Sequence, residues 1–153
     1  MSTSGLEVFD DTLQKTNTWL KEIMQVLGPD RHRAYTAMRG VLHCLRDRLS
    51  VNEAAHLGAQ LPMLVRGIYY EGWRPAGKPE KIRTRDEFLA GVARQFEHVR
   101  PIDPQDAVRA VFQTLEHHLD PGEIADVIQS LPQEIRTMWP RYAQYATNAP
   151  ASA

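Results

Sequence analysis

An internal repeat constrains this chain more than any other feature of its sequence. When the numbering is shifted by 70, residues 37–69 align with residues 107–139 without a gap. A tandem duplication of this kind restricts the fold to two copies of one unit that pack on each other. We expect residues shared by both copies to maintain the fold. The shared positions include Arg39/Arg109, Val41/Val111, Leu45/Leu115, Leu49/Leu119, Glu53/Glu123, Leu61/Leu131, Pro62/Pro132 and Arg66/Arg136.

Both copies have the residue spacing of α-helices. Apolar residues recur at steps of three and four, which is the period of a helix, and no segment alternates for long enough to form a strand. We therefore predict an all-α protein, a tandem duplication of a four-helix unit with about eight helices packed as one compact bundle. The first two apolar stripes are Phe9, Leu13, Thr16, Leu20, Ile23 and Leu27, then Ala34, Met38, Val41, Leu42, Leu45 and Leu49.

Turn-forming and capping residues divide the chain into segments. Two prolines and a glycine in residues 74–83 predict a linker loop between the copies. We assign residues 1–73 to the first helical repeat, 84–140 to the second and 141–153 to a frayed tail. Helix starts are predicted at Asp30, at Ser50 with Glu53, at Thr84 with Glu87, at Asp103-Pro104 and at Asp120-Pro121.

The composition is that of a soluble globular protein. Cys44 is the single cysteine, so no internal disulfide can form, and its place on a helical apolar stripe predicts an inert, packed thiol. No apolar run approaches the ~18 residues that a membrane-spanning helix needs. The first residues lack the pattern of a secretory signal. We expect a cytoplasmic protein with no membrane partner.

The two copies carry opposite charge. Residues 30–85 contain 11 Lys or Arg and 5 Asp or Glu, whereas residues 101–139 contain 2 Arg and 7 acids. The basic half of one molecule could therefore meet the acidic half of another and form a homo-oligomer. It could instead bind the phosphates of a nucleic acid. The side chains for that alternative are Arg31, Arg33, Arg39, Arg46 and Arg48, with Arg74, Lys78, Lys81, Arg83 and Arg85.

Two arginines of the repeat are candidates for structural ion pairs. Arg66 and Arg136 are equivalent in the two copies, and so are Glu53 and Glu123. Because both residue types are kept together, we predict that Arg66 pairs with Glu53 and that Arg136 pairs with Glu123. Such pairs contribute more when they are partly shielded from water.

A different set of residues occurs in the first copy only. Tyr70, Glu71 and Trp73 have no counterparts in the second copy, and they are followed by Arg74 and Lys78. Tyrosine and tryptophan rings supply a large contact area with a polar tip. We predict that these five residues form a binding surface. The alternative is that Tyr70 and Trp73 pack down over the junction between the halves.

Carboxylates and histidines offer few metal-binding patterns. Glu53 and His56 are three residues apart, and Glu123 and Asp126 occupy the same positions in the second copy. These four groups would form a metal site only if the two short helices that carry them face each other. The adjacent His117 and His118 point about a third of a turn apart and are expected not to share an ion. We therefore assign no metal ligand and no cofactor.

One long motif resembles a known family. The segment LPMLVRGIYYEGW is preceded by RAYTAMRGVLHCLRDRLSVNEAAHLGAQ and followed later by GEIADVIQSLPQEIRTMWP. Together they are similar to a bacterial family of small helical proteins known as a domain of unknown function. The similarity extends from about Phe9 to Pro140. It implies a duplicated helical fold and a bacterial, cytosolic setting, and it brings no catalytic residues.

The sequence favours a binding function over a catalytic one. It has neither a nucleophile elbow nor a phosphate-binding glycine loop. We predict a non-catalytic protein-binding or adaptor module with an unidentified protein partner. The alternative is nucleic-acid binding through the basic first half. A second alternative is metal or small-molecule binding between the helical halves.

Overall fold

A computed structural model describes residues 4–99 and 101–142, and within them every regular element is a helix. The predicted all-α fold is confirmed. Residues 143–153, most of the predicted frayed tail, lie outside the described residues. The helices within the described ranges are α1 (Glu7–Leu27), α2 (Arg31–Arg48), α3 (Val51–Gln60), α4 (Met63–Tyr70), α5 (Arg85–Arg94), α6 (Pro104–His118), α7 (Pro121–Gln129) and α8 (Gln133–Arg136).

The helices begin where the capping residues predict. The carboxylate of Asp30 accepts hydrogen bonds from two backbone N–H groups of α2. Thr84 and Glu87 form a complete capping box at α5. Asp103 and Asp120 cap α6 and α7, and a proline occupies the start of each helix, where its missing N–H costs nothing.

The core takes two helices from each repeat. α1 and α5 both pack against α2 and α6, which also pack against each other. The remaining short helices flank this centre, and α3 contacts α7 across the junction of the repeats. The duplicated leucines Leu45, Leu49, Leu115 and Leu119 are all buried. The two copies therefore share one hydrophobic interior, as the internal repeat predicts.

A glycine sets the distance between α2 and α5. A Cβ added at Gly40 would lie 2.8 Å from Cβ of Gln95, which is closer than real Cβ atoms come, and 3.0 Å from the ring of Phe96. The approach therefore requires glycine, although this residue lowers helix propensity.

None of the helices in the described ranges combines the length and the apolar character that crossing a bilayer requires.

Candidate functional site

The predicted binding surface at the end of α4 is largely packed against the protein. The ring of Tyr70 lies over Gly58, where an added Cβ would come within 2.2 Å of its hydroxyl oxygen. The Trp73 ring tilts against Tyr70 at a centroid distance of 5.3 Å. Glu71 pairs with Arg39 at 3.2 Å, and Lys78 pairs with Glu80 at 2.7 Å.

The packing of the two aromatic rings distinguishes this surface from a free contact face. Tyr70 and Trp73 are only partly exposed and pack against the hydrophobic core, with Tyr70 over α3 of the same repeat. Glu71 and Arg74 are the exposed members of the set. A binding role for this surface stays a prediction.

The duplicated arginines cap helix ends. Nε of Arg66 donates to the carbonyl of Gly58, and one of its terminal nitrogens donates to the carbonyl of Leu61. Nε of Arg136 donates to the carbonyl of Leu131, the equivalent of Leu61. These bonds satisfy carbonyl groups at the ends of α3 and α7. They replace the predicted ion pairs with Glu53 and Glu123, whose carboxylates lie elsewhere.

At another repeated position, opposite charges perform equivalent tasks. Arg46 is buried, and its guanidinium donates to the carbonyls of Tyr69 and Glu71 at the end of α4. Its counterpart is Glu116, also buried, whose carboxylate accepts the backbone N–H of Arg141 beyond α8. At this position the first copy therefore has a buried hydrogen-bond donor, Arg46, and the second copy has a buried acceptor, Glu116. The sequence alignment shows the exchange, but only the contacts give its role.

The arginines of α2 are occupied within the protein. Arg31 donates to Asn17, Arg33 to the carbonyl of Pro101, and Arg48 to the carbonyl of Ile82. Arg39 and Arg46 have the partners described above. Each of these five α2 side chains therefore has a partner in the fold. Of the second group of basic residues, Lys78 pairs with Glu80, whereas Arg74, Lys81 and Arg83 are exposed. Nucleic-acid binding through the basic first half stays a prediction.

A cluster of carboxylates and an imidazole lies where α3 meets α7. One oxygen each of Glu53 and Glu123 and one ring nitrogen of His56 lie within 4.8 Å of one another. Nδ1 of His56 is 2.6 Å from Oε2 of Glu123. The two short helices do face each other, which was the condition that the sequence set for a metal site here. We call Glu53, His56 and Glu123 the junction cluster.

The glutamates of the junction cluster are turned away from their helix caps. Ser50 accepts the N–H of Glu53 as the capping box predicts, but the Glu53 carboxylate points to the cluster instead of completing the box. Glu123 stands at the same position of α7, after the Asp120 cap. Both copies thus direct a carboxylate that a capping box would use towards the junction of the repeats.

The junction cluster holds charge in a poorly solvated place. The side chain of Glu123 is 4% exposed, whereas that of His56 is 58% exposed. Burial raises the pKa of Glu123, and His56 opposes this effect while Glu53 and Asp126 add to it. Burial likewise raises the pKa of Glu53, against the charge of His56. The Oε1 atoms of both glutamates are buried without a hydrogen-bond partner, which is uncommon for a carboxylate.

A second group of the same residue types lies near the end of α6. Nδ1 of His117 and Nε2 of His118 both lie near Oε1 of Glu22, at 2.8 and 2.7 Å. The two rings reach the same carboxylate through different ring nitrogens, and the three donor atoms lie within 4.8 Å of one another. That these adjacent histidines do not share an ion stays a prediction. His117 is largely exposed and the His118 ring stacks on Trp19. We call Glu22, His117 and His118 the α6 cluster.

An apolar groove opens between α1, α2 and α4. Leu13, Tyr35 and Leu64 line an open space of about 570 Å³, with Arg31 and His32 also in its lining. Leu13 and Leu64 are 41% and 38% exposed. The N–H of Leu64 donates to the hydroxyl of Thr12, which holds the start of α4 against α1. We call this space the α1 groove.

The pattern of apolar residues in the sequence did not predict the α1 groove. Phe9 and Leu13 begin the apolar stripe of α1 and were expected to face the core. In the structure both side chains are exposed. The buried residues of α1 begin at Thr12 and include Trp19, Leu20 and Ile23. The stripe shows that an apolar face exists, but not how far the neighbouring helices extend along it.

The single cysteine is packed as predicted. Burial raises the pKa of Cys44 to about 12, with Asp47 adding to the effect. A thiol with this pKa remains protonated and unreactive at neutral pH.

Comparison with known proteins identifies the family. The model of an uncharacterised conserved protein family, DUF2267, matches residues 16–138. The chain belongs to this family. The match begins within α1 and ends just beyond α8, so it includes both repeats of this chain. No curated protein shows a significant sequence match to the chain.

Proposed function

We propose that this member of DUF2267 is a non-catalytic protein-interaction module that binds through the α1 groove, and that a second copy of the chain occupies the groove. The observation that carries the proposal is the uncovered apolar face of α1 and α4. Large apolar side chains that lie exposed together mark interaction surfaces more often than isolated ones do.

The shape of the apolar face suits a helix. Phe9 and Leu13 are one turn apart on α1 and lie on the same side of it. Met63 and Leu64 add exposed side chains at the start of α4. An apolar groove is the kind of surface on which proteins bind the apolar face of an amphipathic helix. The first turns of α1 from a second copy offer such a face, with Phe9 and Leu13 exposed.

Charge favours a second copy as the occupant. The first turns of α1 carry Glu7 and Asp11, whereas the α1 groove is lined by Arg31 and His32. In a symmetric pair, the acidic end of one α1 could approach the basic lining of the other groove. Opposite charges at a rim orient two partners and speed their association.

The setting of this module is also part of the proposal. The resemblance of the motif to a bacterial family supports a bacterial, cytosolic protein. The single, unreactive Cys44 agrees with a reducing compartment.

Sedimentation of the intact chain over a wide concentration range tests the proposal. We expect a reversible dimer that weakens as salt rises. Leu13→Glu and Leu64→Glu should each weaken dimerisation by more than about 10-fold, because each places a charge in the apolar contact. The matched control is Val51→Glu, since Val51 is equally exposed but lies on α3, outside the groove.

Two results would contradict the proposal. A chain that stays monomeric at every concentration does not bind a second copy. A dimer that persists in both groove variants, with circular dichroism unchanged, uses another face.

A further inference from the structure

We infer that the junction cluster is a binding site for one divalent transition-metal ion held between the two repeats. The ligands are a carboxylate oxygen of Glu53, a ring nitrogen of His56 and a carboxylate oxygen of Glu123. Two carboxylates and an imidazole, with a water in the fourth position, form a donor set that zinc accepts.

The geometry brings these groups together from separate elements. Glu53 and His56 lie one helical turn apart on α3, and Glu123 comes from α7 of the other repeat. Their donor atoms lie within 4.8 Å of one another, so small side-chain adjustments would place all three around one ion. The contact between His56 and Glu123 at 2.6 Å shows that two of the ligands already meet.

The unpartnered oxygens are the second observation. The Glu123 side chain is 4% exposed, and its Oε1 is buried with no hydrogen-bond partner. The same is true of Oε1 of Glu53. Buried polar atoms normally have a partner, and a group without one calls for an explanation such as an ion. A cation would satisfy both oxygens and reduce the repulsion between the carboxylates.

The proposed metal site is accessible from solvent, and a further carboxylate lies near it. His56 is 58% exposed, so an ion can reach the cluster from solvent. Asp126 lies close enough to influence the charge of both glutamates and is exposed. It occupies the position of His56 in the second repeat. The duplication has thus placed four residues with metal-binding side chains at one junction, and three of them form the proposed site.

The donor set indicates the class of ion. Calcium and magnesium prefer sites made entirely of oxygen, whereas an imidazole favours zinc, iron or nickel. We therefore choose Zn²⁺ as the probe and Mg²⁺ as the comparison. An ion that links α3 to α7 should also stabilise the fold, because it binds the folded chain and not the unfolded one.

Calorimetric titration of the chelator-treated, full-length chain with Zn²⁺ tests the inference. The variants Glu123→Gln and Glu53→Gln should each weaken the tightest binding event by more than about 10-fold, the lower end of what loss of even a supporting group costs a metal site. The matched control is Glu22→Gln, which removes the carboxylate of the α6 cluster. It should leave that event unchanged.

A stability measurement separates loss of a ligand from loss of the fold. In the absence of metal, Glu123→Gln and Glu53→Gln should unfold at a temperature no lower than the parent chain, because each removes a buried charge from a repulsive group. Zn²⁺ should raise the unfolding temperature of the parent and of Glu22→Gln, but not that of the two cluster variants.

Several outcomes would overturn the inference. They are the absence of Zn²⁺ binding, a binding event lost in Glu22→Gln but kept in Glu123→Gln, and a preference for Mg²⁺ over Zn²⁺. Metal-free cluster variants that unfold well below the parent would also overturn it, since the carboxylates would then have a purely structural role. None of these results bears on the α1 groove, which uses different residues.

Discussion

At the scale of single residues, the position of a side chain in the repeat indicates that it helps to maintain the fold, but it does not indicate which contacts the side chain makes. Arg66 and Arg136 are shared and cap equivalent helix ends. Arg46 is replaced by Glu116, and both are nevertheless buried and bound to backbone groups. Burial obliges each polar side chain to find a partner, and the nearest free backbone groups differ between the copies.

His43 gives a residue-scale prediction about pH. Its Nε2 donates to the carbonyl of Ile68 at 2.7 Å within the buried part of α2. Burial lowers its pKa, and the charges of Arg46 and Arg39 lower it further, against the bond to Ile68 and the charge of Asp47. The folded chain therefore holds this imidazole neutral, while the unfolded chain takes up a proton as the pH falls below the ordinary value of 6.5.

The sign of the effect follows from this difference in proton uptake. More protons bound by the unfolded state mean that stability falls as the pH drops through 6.5. We expect His43→Gln to remove this part of the acid sensitivity, since an amide can still donate to Ile68. Urea unfolding of both proteins at a series of pH values measures it. Parallel stability curves for the two proteins would contradict the prediction.

At the scale of elements, close packing rather than propensity decides where glycine is needed. Gly40 lies inside α2 where α5 comes near, and an added Cβ would meet Gln95 and Phe96. Gly67 lies inside α4, is exposed, and has nothing within 4 Å of an added Cβ. Both glycines lie inside helices, and the residues next to them in the chain do not show which of the two contacts another helix.

Alanine at these two positions should have opposite effects. Gly40→Ala should destabilise the fold by roughly 1–3 kcal/mol, since α2 and α5 would have to move apart. Gly67→Ala should stabilise it by up to about 1 kcal/mol, the difference in helix propensity between the two residues. Thermal unfolding of both variants measures the contrast. Equal effects of the two substitutions would show that the helix contact at Gly40 is less tight than the structure has it.

At the scale of the whole molecule, the repeats share an interior and are not two separate bodies. α1 packs on α6 as well as on α2, and α5 packs on α2 as well as on α6. Val108, Val111 and Leu115 of α6 are buried in this shared core. Without α1, the second repeat would leave part of this apolar face in water.

We therefore expect the second repeat not to fold by itself. A fragment of residues 84–142 is near the size below which a single core becomes marginal, and it would lack the cover that α1 provides. Circular dichroism of the fragment should show little helix. Mixing it with a fragment of residues 1–83 should restore helix. A stable, cooperative unfolding transition in residues 84–142 alone would contradict this expectation.

The helices, their starts and the duplication could be predicted from the sequence, because capping hydrogen bonds and the apolar period are made within a few residues of chain. The shared core followed from matching leucines such as Leu45 and Leu115. The sequence also identified a possible metal-binding pattern, on the condition that the two short helices face each other. Its residues are Glu53, His56, Glu123 and Asp126. Only the tertiary structure decided that α3 faces α7, that Arg66 caps a helix rather than binding Glu53, and that Phe9 and Leu13 stay exposed. Each of these depends on how far one helix extends along another, and that distance is set by packing between residues far apart in the chain.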